Sequence, residues 1–157
     1  NEHIIESHNR IVHKKDITYI LGDISMHKSE YYYLLDRMNG RKRVILGNHD
    51  LPQHVPQLLK HVEQVGSMEK YKGIFLTHCP IHPQELEYRV PYNIHGHTHE
   101  HNVSTKIVKS TRDTSGSNWP DDKRYINVSC EQLNYEPKTI YELIPSFEEW
   151  RQKRNKK

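Results

Sequence analysis

Arg43-Val44-Ile45-Leu46-Gly47-Asn48-His49-Asp50 is an apolar run that breaks at a glycine directly before an amide, an imidazole and a carboxylate. Val and Ile favour extended backbone and Gly-Asn stops it, so the stretch reads as a short strand ending in a polar turn. The pattern recurs on both sides. Asp16-Ile17-Thr18-Tyr19-Ile20-Leu21 stops at Gly22-Asp23, Gly73-Ile74-Phe75-Leu76 ends in Thr77-His78-Cys79-Pro80, and Tyr92-Asn93-Ile94 leads into His95-Gly96-His97-Thr98-His99. Helical spacing fills the intervals: Glu2 to Val12, Ser29 to Met38 with Ser29 as cap and Gly40 beyond the end, and Val55 to Val62 after Pro52. Strands alternating with helices predict an α/β layered fold. The second half reads as more strand-like, with Tyr125 to Val128 and Thr139 to Ile144 as candidates and Ser110 to Arg124 as a long polar surface loop. Ser146 before Glu149 reads as a capping box that opens a terminal helix and basic tail over residues 145–157.

Composition bounds the function. The chain of 157 residues carries 23 Lys and Arg against 20 Asp and Glu, a net charge of +3, with 34% hydrophobic residues. That fits a single domain, 1–157, with a modest core. No apolar run approaches the roughly 20 residues of a membrane span, and the amino end lacks the pattern of a secretory signal. Two well-separated cysteines make no disulfide framework, so a reducing, cytoplasmic setting is expected. The small basic excess gathers in the carboxyl-terminal tail, where it reads as a solvated helix end rather than a grip on nucleic acid. Thirteen scattered histidines, by contrast, point to a metal site.

The residues that follow the strand-like runs are Asp23, Asn48 with His49, His78, and His97 with His99. In open α/β sheets the site lies outside the carboxyl ends of the strands, so these side chains are expected on one rim. Gly22, Gly47 and Gly96 each directly precede one of them, as close backbone approach requires. His97 and His99 share a face only on extended backbone. His95 and His101 continue that period and are placed outside the ligand set, as structural or surface residues. Imidazole, carboxylate and amide donors without thiolate favour Mn²⁺, Fe, Co, Ni or Zn²⁺ over Ca²⁺ and Mg²⁺. Cys79 is read as a small buried hydrophobe beside the site.

Taken in order, Gly22-Asp23, Gly47-Asn48-His49-Asp50, Thr77-His78 and Gly96-His97-Thr98-His99 resemble the calcineurin-like metallophosphoesterases, in particular small bacterial and phage members. The resemblance implies a four-layer αββα sandwich of two mixed β-sheets flanked by helices. It implies two divalent metal ions, Mn²⁺ foremost with Fe, Zn²⁺, Ni²⁺ or Co²⁺ as alternatives. Asp23 would bridge them, Asn48, His78 and His97 would hold the second ion, and His99 would return to the first. His49 would stand beside the phosphoryl group and serve the leaving oxygen, with Asp50 orienting its ring. Such an ion pair activates a shared water as hydroxide for attack on a phosphomonoester or phosphodiester, nucleotides among the candidates.

Two departures qualify the resemblance. Members begin with a strand ending in Asp-x-His that completes the first metal site, and none precedes Asp23. His3, His8 and His13 share no helical face, so the sequence is expected to begin after that strand, leaving the first ion Asp23 and His99. Met26 and His27 stand where acidic and Arg residues are frequent. Other readings are a non-catalytic scaffold of the same fold that binds a partner, as the retromer subunit does, and a nucleic-acid module using the tail and the 110–124 loop. Over the rim, that loop with Trp119 and the segment Pro83 to Pro91 are the candidates for substrate specificity, Trp119 by stacking on a base or by packing on its own loop. Oligomeric state is not legible.

Overall fold

The computed structural model describes residues 1–26, 28–104 and 121–155. His27, residues 110–120 of the expected rim loop with Trp119, and the last two residues of the basic tail lie outside them.

Helix α1 (Glu2–Ile11) leads into strand β1 (Ile17–Ile20), a 3₁₀ segment (Ser29–Arg37) and strand β2 (Arg41–Ile45). A 3₁₀ turn (Pro52–His54), helix α2 (Val55–Leu58) and strand β3 (Gln64–Gly66) complete the first half. The second half runs β4 (Met68–Tyr71), β5 (Ile74–Thr77), α3 (Pro83–Tyr88), β6 (Asn93–His95), β7 (Tyr125–Asn127), α4 (Ile140–Leu143) and α5 (Phe147–Asn155). Two sheets result. The first has the order β1-β2-β3, all parallel, and the second the order β4-β5-β6-β7, antiparallel only between β4 and β5. This is the expected α/β sandwich of two sheets; the second is mixed, whereas the first, expected to be mixed, is all parallel.

Side-chain alternation sets the layers. On β5, Ile74 and Leu76 face a core with Ile94, Ile144 and Phe147, which Tyr19 and Leu21 of the first sheet's edge also reach. Phe75, between them, faces the other way onto Leu86, Val90 and Tyr125 under α3. On the first sheet, Val44 and Ile20 pack beneath Tyr32, Leu35 and Leu58 of the 3₁₀ segment and α2. Each sheet therefore has helical cover on an outer face, and α4 and α5 close the core that the sheets share.

Three expected elements differ. Ser29 to Met38 forms 3₁₀ rather than α-helix, with Tyr32 and Leu35 pinned into the core at the spacing of a three-residue turn. The helix expected over Val55 to Val62 ends at Leu58. Thr139 to Ile144, read as a strand, contains helix α4: the Thr139 hydroxyl accepts from the Glu142 N–H, and the Glu142 carboxylate accepts from the Thr139 N–H at 2.7 Å. That capping box outweighs the β preference of Ile and Tyr. Among the described residues no helix is long and apolar enough to cross a membrane.

Buried polar residues fasten the strand ends. Asn93, fully buried, donates to the Phe75 carbonyl and the Thr77 hydroxyl of β5 and accepts from the Ile81 N–H at 3.0 Å. The segment that follows β5 is thereby held against β6.

Candidate metal centre

The carboxyl ends of β1 and β2 in one sheet and of β5 and β6 in the other meet at one point, and that point is Nε2 of His78. Asn48 Oδ1 lies 2.9 Å from it, His97 Nδ1 3.1 Å and Asp23 Oδ2 3.4 Å. The His78 side chain is 94% removed from solvent, at 6% exposure, whereas Asn48 and His97 are exposed, so the cluster has a buried floor and an open mouth.

The ring's other nitrogen decides what can occupy that point. His78 Nδ1 stands 2.7 Å from the Leu21 carbonyl oxygen, which can only accept, so Nδ1 carries the hydrogen. In the neutral ring Nε2 is then a bare lone pair, and it faces an amide oxygen, a carboxylate oxygen and a second imidazole. Lone pairs at these distances repel, and a cation standing among them, or a hydrogen on His97 Nδ1, relieves that repulsion. The backbone-anchored imidazole is also the usual arrangement of a metal-binding histidine. A divalent cation therefore fits the donor set.

Backbone geometry supports that fit. Asp23 has φ 54°, His97 67° and His99 49°, all in the left-handed region that non-glycine residues seldom adopt. Such conformations persist where surrounding bonds impose them, and here the bonds are visible. The Asp50 carboxylate, buried, accepts from the N–H groups of Asp23 and Gly47 at 2.8 Å each and from Ile24 at 2.9 Å. Asp23 Oδ1 in turn accepts from the His49 N–H at 3.0 Å. The two turns are thus laced together by two carboxylates. Asp50 holds the backbone of the Asp23 turn.

Two glycines leave the space this closeness needs. A Cβ on Gly47 would collide with Asp23 Oδ1 and stand 2.5 Å from the Asp23 nitrogen. One on Gly22, at φ +93°, would run into His78 Nδ1 and come within 2.7 Å of the Gly47 backbone.

The remaining expected residues divide. His49 sits partly buried in the second turn, with its N–H tied to Asp23. His99 turns its Nδ1 to Glu131 at 3.1 Å, and that carboxylate raises the affinity of the ring for a proton, with a smaller push from Asp23. Among the described residues, His78, Cys79 and His97 form a group of three whose donor atoms all lie within 4.8 Å of one another. Cys79, read as buried, is exposed. The sequence could not reveal this, because a thiol's burial depends on what covers the turn after β5. His95 is fully buried beneath the site, its Nδ1 2.8 Å from the Gly96 carbonyl and its Nε2 without a partner, and burial lowers its proton affinity.

No family model matches the chain. An uncharacterized protein of Methanocaldococcus jannaschii, MJ1445, is 29% identical over 153 residues, covering 94% of this chain and 75% of that protein. Among solved structures, a protein of unknown function from Aquifex aeolicus, AQ665, superposes with a TM-score of 0.60 at 24% identity, over 87% of this chain and 78% of that one. That likeness concerns the fold.

Proposed function

We propose that the protein is a metal-dependent hydrolase of phosphate esters, related to the calcineurin-like metallophosphoesterases, with Asp23, Asn48, His78 and His97 as its cation-holding residues. One observation carries the reading: a buried imidazole lone pair surrounded by an amide oxygen, a carboxylate oxygen and a second imidazole at the tips of four strands. A divalent cation supplies Lewis-acid chemistry to a bound phosphate oxygen and its attacking water. His49, on the same turn as Asn48, serves the leaving oxygen as a proton donor. Asp50 holds Asp23 in the one backbone conformation that presents its carboxylate. We extend the reading to a second ion between Asp23 and His99, with Mn²⁺ the first metal to try. Its two free, exposed thiols suit a reducing compartment, and we place the protein in the cytoplasm.

The test begins with protein stripped by chelator and reloaded with Mn²⁺, assayed on an aryl phosphate and a bis-aryl phosphate. Wild type is expected to hydrolyse one of them. His49→Ala is expected to keep its metal and lose at least about a hundredfold in rate, the scale of general acid catalysis. His97→Ala is expected to lose metal as well. Equal rates for wild type and His49→Ala overturn the catalytic assignment, and metal binding with no hydrolysis of any ester favours a non-catalytic scaffold.

A further inference from the structure

We infer that Cys79 is a thiolate ligand at the His78 centre and makes it a site for a thiophilic divalent cation such as Zn²⁺. The inference rests on the reading above that a cation is held there, and adds a donor which that reading lacks. Sγ of Cys79 and a ring nitrogen from each of His78 and His97 lie within 4.8 Å of one another. Nitrogen and sulfur on opposite sides of one zinc ion span about 4.4 Å, from bond lengths near 2.1 and 2.3 Å, and neighbouring ligands stand closer. The three donors are thus within a small side-chain rotation of a shared ion.

The surroundings favour ligation over packing. The Cys79 backbone is fixed from β5, since its carbonyl accepts from the Thr77 hydroxyl at 2.6 Å, while its side chain opens to solvent. An exposed thiol contributes nothing to a core, and it stands beside His78 Nε2, which faces Asn48 Oδ1 and His97 Nδ1. On ion binding the S–H bond breaks, its proton passes to water or buffer, and the sulfur electron pair forms the bond to the metal. Two imidazoles and a thiolate backed by oxygen donors prefer Zn²⁺ or Co²⁺, whereas Mn²⁺ would rely on Asp23 and Asn48. Cys79 therefore sets which ion the site keeps.

Cobalt reports sulfur directly. Stripped full-length protein is titrated with Co²⁺ and followed by near-ultraviolet absorption, in wild type, Cys79→Ser, Cys130→Ser and His97→Ala. The thiolate-to-cobalt charge-transfer band is expected in wild type and Cys130→Ser and absent in Cys79→Ser, whose circular dichroism confirms folding. Competition against a chelator is expected to show Cys79→Ser weaker for Zn²⁺ by about tenfold or more, with Mn²⁺ affinity changed less than about threefold. Co²⁺ binding by wild type without that band, or a band that survives in Cys79→Ser, overturns the role of Cys79 and leaves the metal site standing. If neither wild type nor His97→Ala binds any of the three ions, the proposed function falls together with this inference.

Discussion

Asp50 holds three backbone N–H groups on one buried carboxylate, so a change of a single atom there is informative. Asp50→Asn replaces an acceptor by an amide donor facing at least one of those N–H groups. It is expected to cost about 1–3 kcal/mol in stability and to weaken metal binding, measured by urea unfolding and calorimetry. His8 supplies a second test. It lies on the buried face of α1, bonded to Thr18 and Asn9 with Lys42 nearby, and burial lowers its proton affinity below the ordinary value of 6.5. As pH falls the unfolded chain takes up the proton first, so protonation favours unfolding. Stability is full above the ordinary value and is lost as pH falls below it. Urea midpoints from about pH 7.5 down to about pH 5 should drop in wild type and fall less steeply in His8→Gln.

At the level of elements, β1, β2 and β6 were legible because each couples a short apolar run to a glycine stop, and β5 because its run ends at Thr77-His78; Gly22 and Gly47 proved to be where backbones and side chains crowd together. What the sequence hid is decided by tertiary contact. The tyrosines of Ser29–Arg37 gave no sign of a three-residue turn, which packing onto Val44 selects. Ile140 and Tyr141 look like strand residues, and only Thr139 with Glu142 betrays the helix. His99 meets Glu131 from 32 positions further along the chain, a contact that no local pattern in the sequence announces. Asn93 belongs to this scale because it joins β5, β6 and the segment at Ile81. Asn93→Ala strands the Ile81 N–H, removes the amide's bonds to the Phe75 carbonyl and the Thr77 hydroxyl, and is expected to destabilise the fold by about 2–4 kcal/mol, read as a lower urea midpoint.

Over the whole molecule, Asp23 and Asn48 come from the first sheet and His78 and His97 from the second, so a bound cation ties the sheets together. A ligand at one hundred times its dissociation constant adds about 2.7 kcal/mol to stability. Thermal unfolding with and without chelator should reveal that increment in wild type and lose it in His97→Ala. The order of the strands has a further outcome. The first sheet is finished at Gly66 and the second starts at Met68, so the polypeptide is two consecutive halves meeting at Ser67. Each half owns two of the four donors and neither owns a complete clasp. Split at Ser67 and expressed as separate fragments, the halves should find one another more tightly when a divalent ion is supplied, with the metal serving as the rivet that peptide continuity normally provides.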